Sequence, residues 1–380
     1  MATEKRRKVV FLTGTRADFG KLKPLMLALH QDNAFEVHIF VTGMHMLSKY
    51  GYTCLEVERA GFGNIYKYIN QNSSDSMDHI LSKTISGFSD FVKEIAPDFI
   101  IVHGDRVEAL AGAIVGSLNN ILTGHVEGGE VSGTIDELIR HAVTKLSHIH
   151  FVANDTAGAR LTQLGESRET IHVIGSPDVD IMTSPSLPTI AEVQHYYDLA
   201  FSEYALLIFH PVTSEIEDLY RQIRVVVDDV LESELNYIVI FPNNDPGTDI
   251  ILEEYNRLKD HPNFKIFPSM RFEYFLTLLK HSRVIVGNSS AAIREAPHFG
   301  VPAVNVGSRQ HRRVNCNLVI NVPAERGQIV RALGIAEKMP RESISIFGDG
   351  NSALRFRDIV VSTEFWKHKT QKHFVDRFSG

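Results

Sequence analysis

Residues 99–151 read FIIVHGDRVEALAGAIVGSLNNILTGHVEGGEVSGTIDELIRHAVTKLSHIHF, and this stretch decides the fold. Two short apolar runs, Phe99–Val102 and Ile121–Gly124, are bounded by glycine, and each leads into a segment long enough for a helix. That rhythm predicts buried parallel strands joined by crossover helices. In sheets of this kind the ligand crevice lies at the carboxyl ends of the strands. Just past those ends stand His103, Asp105 and Arg106, then His125, Glu127 and Glu130, with Asp136 and Arg140 opening the next helix. Charged groups at strand ends build a poor core and a good site, so the chemistry is expected here.

Working outward, Lys8–Thr13 and Phe35–Thr42 read as strands, Thr15–Phe19 as a loop, and Met77–Ile95 as a helix. Pro97 then hands the chain to the Phe99 strand, because proline favours an extended residue before it. Ile149–Ala153 and His172–Ile174 are further strands around a helix at Asp155–Leu164. Six strands alternating with helices predict a doubly wound, Rossmann-like α/β domain. The Ser- and Pro-rich segment GSPDVDIMTSPSLP at 175–188 reads as a linker. A second alternation follows, with apolar runs at Ala205–Phe209, Tyr237–Phe241, Phe264–Phe267, Val284–Val286 and Ala303–Val306. The expected organisation is therefore two Rossmann-like domains facing a cleft, residues 1–178 and 179–360. Residues 361–380 form a C-terminal segment in which Phe365–Phe378 is an amphipathic helix packing back across the hinge.

A length of 380 residues fits two domains, and 43% hydrophobic with 22% charged residues fits a soluble globular protein. The net charge of −7 argues against nucleic acid as a partner. No apolar run is long enough for a transmembrane helix, and the N-terminal pattern lacks a secretory cleavage signature, so no membrane partner is expected. Two cysteines, Cys54 and Cys316, lack metal-like spacing and fit a reducing, cytoplasmic setting.

The motifs sharpen the site. GTRADFGK at 14–21 looks like a phosphate-binding loop, but one residue too many separates the glycines, and Leu22 stands where a magnesium-binding hydroxyl belongs. What remains is a strand-to-helix turn with Arg16 as a phosphate contact. Asp105, Glu127, Glu130 and Asp136 are close enough in sequence pattern to raise one another's pKa, the way proteins prepare an acid and a base near neutral pH. Salt bridges to Arg106 or Arg140 are the plainer reading of the same acids. His103 and His125 lack metal-ligand spacing and read as hydrogen-bonding site residues. In the second half, His210 and Asn243 follow strands, and Gly287-Asn288-Ser289-Ser290 opens a helix at Ala291–Phe299 where a diphosphate could sit. Glu295 could accept ribose hydroxyls, and Arg309 could add a cation.

Taken together, GTRADFGKLKPL, VTGMHM, HGDRVEALAGA, HVEGGEVSGTIDELIRH, KLSHIHFVAN, IGSPDVD, FHPVT, PNND, RFEYF, VGNSSAAIREAPHFGVP and GSRQ resemble the hydrolysing UDP-N-acetylglucosamine 2-epimerases, bacterial sialic-acid-pathway type, in the same order from Val9 to Arg309. Non-hydrolysing relatives read HVEAGLRTG where this chain has HVEGGEVSG, so Gly128-Gly129-Glu130 favours the hydrolysing branch. The resemblance implies a glycosyltransferase-B-like fold and a homodimer or homotetramer; no cofactor is expected, and no metal, because the sequence shows no ligand cluster and Arg16, Arg106 and Arg309 can offset diphosphate charge instead. It implies Asp105, Glu127 and Asp136 as catalytic carboxylates, with His210 and Lys21 beside them. Arg16, Asp18, Gly20, Arg106, Asn243, Arg271, Ser289, Ser290, Glu295 and Arg309 match substrate- or UDP-binding positions. From Gln310 to Asn317 the likeness fades. The implied reaction converts UDP-N-acetylglucosamine and water to UDP and N-acetylmannosamine through a 2-acetamidoglucal, feeding sialic acid synthesis. Alternatives are a homologous 2-epimerase for a UDP-2,4-diacetamido-2,4,6-trideoxy sugar of a legionaminic-type pathway, a glycosyltransferase of the same fold, and a sugar-nucleotide sensor without turnover.

Overall fold

In the computed structural model, the described residues are 6–72, 75–132, 134–310, 316–373 and 375–376. They form two compact units, one made of residues 1–130, 136–184 and 347–380, the other of 131–135 and 185–346. The crossing past Ser184 lies inside the 175–188 segment read as a linker, though beyond the expected boundary at 178, and the chain rejoins the first unit at Phe347 rather than running on to 360 in the second.

The first unit is built on a seven-stranded parallel sheet: β1 (Arg7–Thr13), β2 (Phe35–Val41), β3 (Asn64–Lys67), β4 (Phe99–His103), β5 (Leu122–Val126), β6 (Ile149–Val152) and β7 (Ile171–Val173). Their spatial order is β3-β2-β1-β4-β5-β6-β7. Side chains alternate across the sheet. Val9, Phe11, Val37 and Ile39 therefore enter one apolar cluster, while Val10, Leu12, Phe40, Ile100 and Val102 enter the cluster on the other face. Burial on both faces is what makes these strands continuous apolar runs.

The second unit repeats the plan with β8 (Ala205–Ile208), β9 (Tyr237–Ile240), β10 (Phe264–Phe267), β11 (Ile285–Gly287), β12 (Ala303–Val306) and β13 (Val319–Val322), in the order β10-β9-β8-β11-β12-β13. All pairings in both sheets are parallel. The two doubly wound sheets bear out the expected α/β class. Among the described residues, no helix is long and apolar enough to cross a membrane.

Several local readings need correction. β3 and β13 were not anticipated: β3 is a largely exposed edge strand, and β13 has a polar centre, where Asn321 accepts from Asn305 Nδ2 at 2.7 Å. Thr15–Phe19 is no loop. Thr15 caps the helix Arg16–His30 by accepting from the Asp18 N–H at 3.1 Å, so Arg16 already lies in the first turn. The helix expected at Ala291–Phe299 is broken into a 3-10 turn, Ser290–Ala292, and a four-residue helix, Glu295–His298, with Pro297 removing a donor inside it.

The expected terminal helix at Phe365–Phe378 is also absent from the described residues, for only Phe365–Lys367 form a 3-10 turn. Phe365 and Trp366 both pack against Phe99, at ring distances of 5.1 and 6.2 Å, and the turn ends at His368, whose ψ of 133° leaves helical geometry. Phe374 and 377–380 lie outside the described residues. The helix at this end is Ser352–Val361, packed on Arg16–His30. Its start is capped from afar: the Asp180 carboxylate accepts from the Ser352 N–H at 2.9 Å, the Ser352 hydroxyl at 2.7 Å and the Ala353 N–H at 2.7 Å.

Capping of this kind is worth about 1–2 kcal/mol. Asp180→Ala should therefore lower the urea unfolding midpoint by that amount of stability at unchanged slope, and an unaltered midpoint would show that the cap carries no weight.

Candidate functional site

Because β1, β4 and β5 are neighbours, their carboxyl ends deliver three loops to one place, the switch point where strand order reverses. β1 delivers Arg16, Asp18, Gly20 and Lys21; β4 delivers His103, Asp105 and Arg106; β5 delivers Glu127 and Glu130. The helix Ile135–Leu146 adds Asp136 and Arg140.

The loop after β5 is bent sharply. Glu127 holds a positive φ of 71°, a conformation a side chain adopts at a cost, and its N–H donates to the Phe151 carbonyl at 3.0 Å. Gly129, at φ 76°, must be glycine, since a Cβ there would stand 2.3 Å from the Ala157 carbonyl oxygen. The bend leaves the Glu127 carboxylate between two cations. One oxygen lies 2.5 Å from His103 Nε2 and the other 3.7 Å from Lys21 Nζ, with Lys21 also 3.5 Å from Asp178.

His103 is gripped on its other side by Asp18, 2.9 Å from Nδ1, and Asp18 is itself fixed by accepting from the Gly14 N–H at 2.9 Å. Burial disfavours the imidazolium, but the Glu127 and Asp18 carboxylates outweigh it and raise the His103 pKa to about 9. Arg140 plays the matching role for the other acids. Its buried guanidinium pairs with Asp105 and donates to the Glu130 carbonyl at 3.4 Å. Although burial pulls its pKa down, Asp105, Glu130, Glu127 and Asp136 together hold it above the ordinary arginine value.

Other residues fall differently. Arg16 lies 3.9 Å from Glu56, and Arg106 Nε is 3.4 Å from the buried Glu108. His125 is not a site residue. It is fully buried, contacts the Gly104 carbonyl at 2.9 Å and Thr144 at 3.1 Å, and burial lowers its pKa to about 3, so it is a neutral brace beneath the loop after β4. Among the described residues, no group of three or more His, Cys, Asp and Glu is arranged to hold a metal ion.

In the second unit, β8, β9, β11 and β12 bring a separate group together at their carboxyl ends. The His210 N–H donates to Asn288 Oδ1 at 2.6 Å, and Asn288 Nδ2 returns a bond to the His210 carbonyl at 2.8 Å. The Asn243 N–H donates to His210 Nδ1 at 3.1 Å, which leaves the neutral ring its proton on Nε2. Arg309 and Gln310 donate to the Asn288 carbonyl at 3.3 and 2.8 Å. Gly287 allows this crowding, for a Cβ there would sit 1.9 Å from the Ile208 carbonyl oxygen. Ser289 and Glu295 are buried beside these groups, and Ser290 is partly exposed. Arg271 stands at the start of the helix Phe272–His281, its guanidinium 4.7 and 5.4 Å from the rings of Tyr196 and Tyr274.

Two acids escaped the sequence reading. Asp178 lies in the first turn of the helix Pro177–Met182, just past the end of β7, and strand-end position was the signal that could have found it. Glu108 is nearly fully buried in the first turn of the helix Val107–Leu118, where its apolar neighbours hid it.

Residues 27–361 match the family described as UDP-N-acetylglucosamine 2-epimerase. A UDP-N-acetylglucosamine 2-epimerase of Neisseria meningitidis serogroup B is 46% identical over 375 residues, 97% of this chain and 99% of that protein. A hydrolysing UDP-N,N'-diacetylbacillosamine 2-epimerase of Legionella pneumophila is 36% identical, covering 92% of this chain and 94% of that one. Among solved structures, the Methanocaldococcus jannaschii UDP-GlcNAc 2-epimerase in complex with UDP-GlcNAc and UDP superposes with a TM-score of 0.78 at 24% identity, over 93% of this chain and 99% of that chain. The glycosyltransferase-B-like fold of these enzymes is thus the fold of this chain.

The charge state of His103 has a measurable consequence. An unfolded imidazole titrates near 6.5 and the folded one near 9, so the stabilisation is complete below pH 6.5 and is lost as pH rises through 9. Urea midpoints of the wild type should fall across that window, and His103→Gln should lack this component. A wild-type-to-variant difference that stays constant from pH 6 to about 9.5 would mean that the ring is uncharged.

Proposed function

The chain belongs to the UDP-N-acetylglucosamine 2-epimerase family, and from that premise we propose that it hydrolyses UDP-N-acetylglucosamine with inversion at C2, giving UDP and N-acetylmannosamine. The observation that carries this reading is the group of carboxylates gathered at adjacent strand ends of the first unit, set among His103, Lys21 and Arg140. Hydrolysis is supported by Gly128-Gly129-Glu130 in the strand-end motif and by a relative whose name carries that activity. The product is a precursor of the kind that sialic acid synthesis consumes.

The reaction needs more than one acid. The C2 hydrogen is not next to a carbonyl, so a carboxylate cannot remove it from the resting sugar at a useful rate. It becomes acidic as the C1–O bond to UDP breaks and positive charge grows at C1. Departure of UDP with both bond electrons and transfer of the C2 proton to a carboxylate leave a 2-acetamidoglucal. Water then adds its oxygen to C1, giving up a proton to a carboxylate, while an acid delivers a proton to C2 from the opposite face and the C1–C2 double bond is consumed. The returning proton requires an acid placed differently from the first base. Asp105, Glu127 and Asp136 fill these roles. Glu127, held between His103 and Lys21, is placed to stabilise the cationic sugar.

In the first unit, Arg16, Asp18, Gly20 and Arg106 serve substrate binding. In the second, Ser289, Ser290, Arg309 and Arg271 serve the phosphates, Glu295 the ribose, and Asn243 and His210 the remaining UDP contacts. His210 also carries a donor on Nε2 for the leaving group.

Asp105→Asn and Glu127→Gln keep shape and remove charge, so each should lower kcat on the order of a hundredfold with UDP affinity largely kept. In heavy water the N-acetylmannosamine should carry deuterium at C2. Retention of the original hydrogen would exclude elimination, and faster turnover of the UDP-diacetamido-trideoxy sugar than of UDP-N-acetylglucosamine would reassign the substrate to that of the Legionella relative.

A further inference from the structure

The helix that carries Asp136 and Arg140 at one end is fastened at its other end by a residue from the far end of the chain. Lys372 Nζ donates to the carbonyls of Ser147 at 2.6 Å, Lys145 at 3.1 Å and Thr144 at 3.2 Å. These groups lie at the C-terminus of Ile135–Leu146, where a helix runs out of internal donors and where its dipole favours a cation.

The seat is built from several elements. Lys372 Nζ also lies 2.5 Å from the Glu166 carboxylate, whose side chain is only 1% exposed. Glu166 in turn holds Lys145 at 2.7 Å and His150 of β6 at 3.0 Å. Two residues earlier in the same segment, the Thr370 carbonyl accepts from His148 Nε2 at 2.8 Å, while His148 Nδ1 accepts from the Thr123 N–H at 3.0 Å. Thr123 belongs to β5, the strand that ends at Glu127. Residues 370–372 therefore fasten the start of β5, through His148, and the end of Ile135–Leu146, in each case the end opposite the one that presents an acid.

A short helix transmits an axial shift along its length, since its hydrogen-bonded rise is fixed at about 1.5 Å per residue. Between the two ends, Arg140 links the helix to Asp105 and to the Glu130 carbonyl. We propose that Lys372 is a positioning residue: by holding the C-terminal turn of Ile135–Leu146, it sets where Asp136 and Arg140 stand and so how Arg140 meets Asp105. This inference rests on the reading of those carboxylates as the reacting groups. It adds a role for a segment that touches none of them.

Lys372→Met in the full-length chain tests it, with Lys369→Met as control, because Lys369 is exposed and makes none of these bonds. A misplacement of the acids should lower kcat about tenfold while KM and UDP affinity stay within about twofold. Amide hydrogen exchange at residues 136–141 should quicken, and the control should change neither quantity. An unchanged kcat overturns the proposal, as does a fall in kcat that merely tracks the folded fraction. If the wild type turns over no UDP-sugar, the reaction assignment fails on its own. Exchange then decides the fastening alone, and unaltered exchange at 136–141 in Lys372→Met overturns it.

Discussion

A guanidinium with almost no access to water cannot shed its charge, and Arg140 is such a group. Its desolvation is tolerated only because carboxylates from three separate segments turn toward it. The dependence is mutual. Acids brought together at adjacent strand ends repel one another, and without buried cations the loops after β4 and β5 would splay. Arg140 answers for Asp105, while His103 and Lys21 answer for Glu127. The plainer reading of these acids as salt-bridged holds for Asp105 and Glu127, and the proposed chemistry calls on the same atoms.

What the sequence disclosed follows from burial. Central strands such as β1, β4 and β5 are covered on both faces and had to be written in apolar runs, which is why Phe99–Val102 and its neighbours were legible. The exposed edge strand β3 had no such obligation and was missed. Strand-end charges could be located because the chain order of a doubly wound sheet puts them at one edge. Their pairings could not, for nothing in the motif HGDR says that His103 faces both Asp18 and Glu127, residues contributed by two other strand ends. His125, with the same apparent credentials, proved to be a brace because its strand position turns it inward.

The two sheets share a strand order without a shared motif, and their carboxyl ends are furnished differently. The first collects ionised side chains. The second relies largely on amides, hydroxyls and main-chain groups around Asn288, with Arg309 among them. Similar backbones thus present a strongly charged edge in one unit and a mostly neutral, hydrogen-bonding edge in the other. The difference resides in a few residues after each strand, outside the parts that the core constrains.

The first unit is written in separated passages, its closing one beginning at Phe347, after the whole of the second unit has intervened. Phe365 and Trp366 complete the apolar floor under Phe99, across more than half the chain. Contacts of such long range are slow to form, and synthesis proceeds from the N-terminus. On the ribosome, the strands of the first sheet emerge well before the segment that covers them. The nascent sheet must wait with that floor open while another domain is made, so chaperone demand during synthesis should centre on this early half.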